Sequence, residues 1–329
     1  MIKNKFMSGF SLVELMISIT VGFIVIGALG GVFLGSRQSY RVQDAMSRVQ
    51  ENARFAMDAL SRDIRQAGFL GCAKGLTPKN IVSAATDFNT FTAGLQGFEA
   101  PSPLPNGVTS SEVTANTDLI RVQFASPAAT GLTGNMGTDN ANIQITGNPN
   151  NLKAGDVLMI SDCDKLDVFA ATTVSNGAST VTIAHANNAN ITNKLSKPYG
   201  RDAELMQLQT VFYYVGPGMG GVPALFRKRL VGSALSAGEE IVEGVQDMQI
   251  LYGEDVNGDL SADRYVSAPS VGNMENVVSV RLNLLFRSLD QITTAPVPYS
   301  FNGGATVTPT DRFLRRVFTT TVNLRNRTP

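Results

Sequence analysis

The longest apolar run stands near the start of the chain: from Phe10 to Leu34 the only charged residue is Glu14, and the remainder is mostly Ile, Val, Leu, Phe and Gly. A helix rises about 1.5 Å per residue and needs about 20 residues to cross a bilayer, so this run predicts a transmembrane helix. Beyond it the pattern changes rather than stops. Val42, Met46, Val49, Ala53, Ala56, Leu60, Ile64 and Ala67 recur at three- and four-residue steps and draw one apolar stripe. Asp44–Arg48 and Asp58–Arg62 are acid-first pairs at the spacing that favours a helix, and Gly68 offers a stop. One helix is expected from Phe10 to about Gly68, apolar all round over 10–34 and on one side only over 35–69. A helix that leaves lipid and then lies against a folded domain needs that change.

From Gly71 onward the period shortens and turn residues punctuate it. Leu119–Ala125, Asp156–Ser161, Val168–Val174 and Thr180–Ala184 read as strands, with Asn176-Gly177 as a hairpin signal between the last two. Later strands are expected over Leu208–Val215, Leu225–Leu230, Gln246–Tyr252, Val277–Phe286 and Arg315–Leu324. Strict alternation from Val278 to Leu284 places Ser279, Arg281 and Asn283 on a wet face. Two tracts rich in Gly, Asn, Pro and Thr, about 100–116 and 127–151, read as loop insertions in a head that spans 70–329.

Composition narrows the class of protein. The 329 residues carry 27 basic and 27 acidic side chains, so no charge excess argues for a nucleic-acid partner. Trp is absent, one His is present, and 31 Gly with 14 Pro favour a loop-rich β domain. Lys3 and Lys5 ahead of the span keep the N-terminal side cytoplasmic and send the bulk of the chain across. In an oxidising compartment Cys72 and Cys163 form one intramolecular disulfide; two buried free thiols are the alternative.

Glu14 is the anomaly in the span. A carboxylate in lipid normally has a partner, although near the headgroups it could reach water instead. Gly9-Phe10 is a candidate processing point ahead of the apolar segment. A cut there removes the basic leader 1–9, keeps the span, and leaves an amino terminus at Phe10 as the nearest positive group of a neighbouring chain. Gly9-Phe10-Ser11-Leu12-Val13-Glu14, with Lys3, Lys5 and the span, resembles the N-terminal signal of type IV pilins and type II secretion pseudopilins.

That resemblance implies cleavage after Gly9 by prepilin peptidase, N-methylation of Phe10, and an assembly charge pair between Glu14 and an adjacent amino terminus. It also implies local melting at Gly30-Gly31 on extraction from the bilayer, although close helix packing is the simpler account of the glycines at 22, 27, 30, 31 and 35. Gly155–Asp164, Gly244–Gly253, Val277–Ser288 and Arg315–Arg327 are similar to a large minor pilin of this family, and more loosely to the J-type minor pseudopilin.

Candidate chemistry is sparse. Asp255, Asn257, Asp259 and Asp263 alternate as in the first part of a calcium loop, but Leu260 stands at the sharp-turn glycine and Val266 at the closing glutamate. An Asp/Asn turn between strands accounts for the same composition. His185 reads as a solvated loop residue, and Gly216–Gly221 as a tight turn lacking the Lys of a phosphate loop. Arg227-Lys228-Arg229 reads as a strand with one solvated face, and Glu239-Glu240 as surface carboxylates.

The expected fold class is α+β: a long N-terminal transmembrane helix followed by an antiparallel β-rich globular head. No enzyme and no cofactor are expected. The resemblance implies a minor pilin that helps initiate pilus assembly in a priming or tip complex and supports twitching motility and adhesion. Its partners are then other minor pilins, the major pilin, prepilin peptidase and the inner-membrane assembly platform. The same resemblance implies a single span in a bacterial inner membrane with a periplasmic head, and later a place in the extracellular pilus. A type II secretion pseudopilin and a tip adhesin using 127–151 are the alternatives.

Overall fold

A computed structural model describes residues 11–101, 103–177 and 179–327. One unbroken α-helix runs from Leu12 to Gln66, 55 residues or about 80 Å. Ser11 caps it, its side-chain oxygen accepting from the Val13 N–H at 3.2 Å. At the other end Gly68 takes a φ of +72°, and its N–H turns to the Gln123 carbonyl at 2.9 Å. The chain leaves the helix there because glycine reaches that left-handed geometry without a Cβ clash.

The two halves of the helix live in different surroundings. Val49, Ala53, Ala56, Leu60 and Ile64 are buried, as the apolar stripe requires. They pack on Ile250, Val280, Leu282, Leu284, Phe286 and Val322 of the C-terminal sheet, and on Val211 and Tyr213 of a long strand, Glu204–Pro217. Below that contact every large apolar side chain from Leu12 to Leu34 is exposed. Gln38 makes the first tie to the head, its side-chain nitrogen donating to the Ile292 carbonyl.

The head is antiparallel throughout except for one short parallel pairing, Lys79–Asn80 with Asp167–Val168. Glu204–Pro217 is its spine. The first residues of that strand pair with Val157–Ser161, the middle with Asp118–Ala125, and the last half with Pro223–Val231. The C-terminal sheet is ordered Arg264–Val266, Val245–Glu254, Val277–Gln291, Phe313–Asn323. A side chain joins the two sheets, with Asp118 Oδ2 accepting from the Ile250 N–H at 2.7 Å. Gly218–Val222 closes the turn between the spine and Pro223–Val231, with Gly220 and Gly221 at positive φ.

A second core lies at the start of the spine, built from Ile143, Ile145, Leu158, Phe169, Ile183 and Leu205. Here the structure departs from the sequence reading. The tract 127–151 is not a bare loop insertion: Ile143–Thr146 forms a strand against Thr180–Ala184, and Thr130–Gly131 pairs with the start of the spine. Val168–Val174 is not one strand either. The ladder with Val157–Ser161 ends at Ala170, and a new strand, Thr173–Asn176, pairs in a different sheet. The chain crosses between layers at Ala171-Thr172, where the Thr172 N–H turns to the Ala184 carbonyl.

His185 is not solvated. It is buried, with Nε2 3.0 Å from the Ala141 carbonyl and its ring tilted on Phe169 at 5.4 Å. Lys228 likewise turns inward, its Nζ 2.7 Å from Glu112 and donating to the Gly107 carbonyl at 2.7 Å. That lysine ties down the 100–116 tract, whose Leu104, Val108 and Val113 cover Phe212 and Tyr214.

Candidate assembly site

Glu14 lies in the first helical turn, one turn after the Ser11 cap, on a helix whose surrounding side chains are apolar and exposed. Among the described residues nothing pairs with its carboxylate. The positive end of the helix dipole favours a negative charge at this place, but a carboxylate in lipid calls for a full counter-charge. Gly9 and Phe10, the expected cleavage and methylation positions, lie outside the described residues.

The other polar groups of the span are silenced within the helix. Ser18 donates its hydroxyl to the Glu14 carbonyl at 2.7 Å, and Thr20 to the Met16 carbonyl at 2.8 Å. That leaves Glu14 as the span's single unsatisfied polar side chain among the described residues. The helix is long and apolar enough to cross a membrane. At Gly22, Gly27, Gly30, Gly31 and Gly35 an added Cβ meets nothing within 4 Å, so the fold of this chain does not require glycine there. Each weakens the helix by up to about 1 kcal/mol against alanine, and what each offers in return is a flat surface for a neighbouring helix.

Besides Gln38, side chains that tie the helix to the head include Tyr213 with Asp63 at 2.7 Å, Asn52 with the Glu243 carbonyl at 3.3 Å, and Asn326 with the Gln66 carbonyl at 3.3 Å. None was visible in the sequence, since each joins residues far apart in the chain. Cys72, in the turns after the helix, is bonded to Cys163 across a separation of 91 residues, with Cα atoms 5.0 Å apart. The bridge fastens the exit of the helix to the turn that follows Val157–Ser161.

The Asp255–Asp263 loop spends its oxygens on itself. Asp255 accepts from the N–H groups of Asn257, Gly258 and Leu260, Asp259 from Ser261, and Asp263 from Val256, while the Asn257 side chain donates to Asp259 and Asp263. Burial acts to raise the Asp255 carboxyl, but these backbone donors outweigh it and hold it below its ordinary value. Among the described residues no group of three or more His, Cys, Asp or Glu side chains is arranged to hold a metal ion.

Two family descriptions match this chain. The prokaryotic N-terminal methylation motif covers residues 4–30, and Type IV Pilus-assembly protein W covers residues 212–326. The described part of the first, residues 11–30, lies on the exposed half of the helix, and the second lies on the end of the spine and the C-terminal sheet that grips the helix. No curated protein matches the sequence significantly. Among solved structures, the type IV-like pilin TTHA1219 from Thermus thermophilus aligns over 86% of this chain and 98% of its own, at 13% identity and a TM-score of 0.35, too distant to carry an argument. An apolar helix with a methylation motif, continuous with the core of a β-rich head, defines a pilin of the type IV class. Within that class the sequence over residues 212–326 is similar to the PilW family.

Proposed function

We propose that this pilin acts at the start of type IV pilus assembly, in a priming or tip complex with other minor pilins onto which the major pilin adds. In this reading prepilin peptidase cuts after Gly9, Phe10 becomes the methylated amino terminus, and Glu14 neutralises the amino terminus of an adjacent subunit. The head stands in the periplasm while the helix waits in the inner membrane beside the assembly platform. Twitching motility and adhesion follow from the pilus that results.

One observation carries the reading: among the described residues Glu14 is the single unpartnered polar group on a helix surface that is otherwise apolar and exposed from Leu12 to Leu34. Such a surface is covered by lipid in one state and by other helices in the next. Glu14→Ala tests it. The variant is expected to insert and be processed, giving the mature size on an immunoblot, yet to be missing from sheared filaments. Normal incorporation would remove the charge-pair role. In a deletion strain, loss of secreted enzymes with pili intact would assign the chain to a secretion system instead.

A further inference from the structure

The last strand, Phe313–Asn323, pairs on one side only, with Val277–Gln291. Its register is unbroken from Arg315↔Arg287 to Asn323↔Ser279. The Leu314 N–H donates to the Ser288 hydroxyl and the Leu324 N–H to the Val278 carbonyl, so amides of even-numbered residues point into the sheet. Antiparallel pairing alternates, which turns the amides of Val317, Thr319, Thr321 and Asn323 outward. All four residues are exposed, and no described group takes those N–H donors.

Open edges of this length are normally blunted by proline, lysine, a bulge or a covering element. The acidic strand Glu239–Glu243 shows such covering, since the helix reaches it through Asn52 and the Glu243 carbonyl. On the last strand, Val317–Leu324 contains no charge, no proline and no register shift. Charge is gathered at its two ends instead. Arg312 and Arg316 precede the open stretch and Arg325 follows it; all three are exposed, and among the described residues none has a carboxylate partner.

We propose that this edge is a docking site for an extended segment of another polypeptide, uncharged in its middle and acidic at both ends, which joins the C-terminal sheet as a further strand. Main-chain hydrogen bonds to the four outward amides supply the attachment, and the arginines fix register and select the partner. The open stretch is about 20 Å long, enough to seat a strand of ordinary length. The site goes beyond the assembly role proposed above: the edge belongs to the folded head, and binding there is measured without a filament.

The full chain in detergent micelles is titrated with a fluorescent peptide that has an alternating Thr/Val centre and a pair of aspartates at each end; a control carries lysines at the ends. The acidic peptide is expected to bind at least tenfold more tightly than the basic one. At saturation, hydrogen exchange of the peptide fragments covering 315–324 should slow at least tenfold. Thr319→Pro removes one outward N–H without touching a ladder bond, and is expected to abolish binding. Should that variant misfold, Arg316→Glu with Arg325→Glu supplies the second arm, and should invert the preference between the two peptides. Equal affinity for both peptides, binding that leaves exchange over 315–324 unchanged, or no binding overturns the proposal. So does self-association abolished by Thr319→Pro, which would give the edge to a second copy.

Discussion

Tyr213 and Asp63 meet at 2.7 Å where the helix crosses the spine of the head, the phenol donating to the carboxylate. Burial first, then the charge and hydrogen bond of Asp63, push the Tyr213 hydroxyl well above its ordinary range, so it stays a donor at any working pH. A hydrogen bond to a charged acceptor contributes about 1.5–3 kcal/mol. Tyr213→Phe should therefore lower head stability by that order in a denaturant titration. Asp63→Asn, which keeps an acceptor, should cost less.

The helix is part of the core only above residue 38, and truncations should respect that boundary. Leu60 is fully buried among the C-terminal sheet, and Leu60→Ala is expected to cost about 2–5 kcal/mol. Phe23 is 70% exposed, so Phe23→Ala should leave the melting of the head within about 0.5 kcal/mol of wild type. Equal losses in the two variants would contradict the division of the helix.

Asp118 faces Glu99 directly across two paired strands, with Asp247 and the Tyr252 hydroxyl on the neighbouring sheet. Burial, with the charges of Glu99 and Asp247 and against the Ile250 N–H, pushes its carboxyl from 3.8 up to about 7. Between those values the folded chain holds a proton that the unfolded chain has lost, so this group's contribution falls as pH rises from about 4 to 7. The difference between wild type and Asp118→Asn should show that slope, on the order of a few kcal/mol. Taking the difference separates Asp118 from Glu254 and Asp311, which are lowered chiefly by Arg264 and Arg315 and act in the opposite sense.

Tyr252 is buried with no hydrogen-bond partner for its hydroxyl, which stands over Gly97. A Cβ on Gly97 would lie 2.7 Å from the Ala268 Cβ and closer still to the Tyr252 hydroxyl. Gly97→Ala should destabilise by about 1–3 kcal/mol. Tyr252→Phe removes an unsatisfied polar atom and should be neutral or stabilising by up to about 1 kcal/mol. In the double variant the glycine substitution should cost less, a coupling readable from a double-mutant cycle.

Replacing Cys72 and Cys163 together by alanine should cost about 2–5 kcal/mol in thermal unfolding, since the bridge closes a separation of 91 residues. Unchanged melting of the variant would mean that the segment after the helix is held by packing alone.

The helix was legible because its signal is local and repeated: a long apolar run, then a stripe with favourable acid-first pairs. The cysteine pairing followed from there being only two. Ile143–Thr146 was hidden among glycines and asparagines, although Ile143 and Ile145 alternate with polar neighbours and both are fully buried. His185 was misread because its burial depends on a segment far away in the chain, at Ala141; the strand at 227–229 does have one solvated face, and the inward turn of Lys228 depends on the 100–116 tract. Glu14 stood out as a charge among apolar residues, but the counter-charge proposed from another subunit leaves no trace in one chain. The open edge of Phe313–Asn323 required the pairing of strands to be known.

Gln38 meets Ile292 where the helix enters the head, and Asn326 meets the last helical turn, so the final strand travels beside the helix in the same direction. Tension applied to the anchor thus arrives along the rod's own axis and loads the buried stripe in shear, with many side chains resisting at once. A pull of that kind is hard to unzip, so the head should keep its shape under load along the helix.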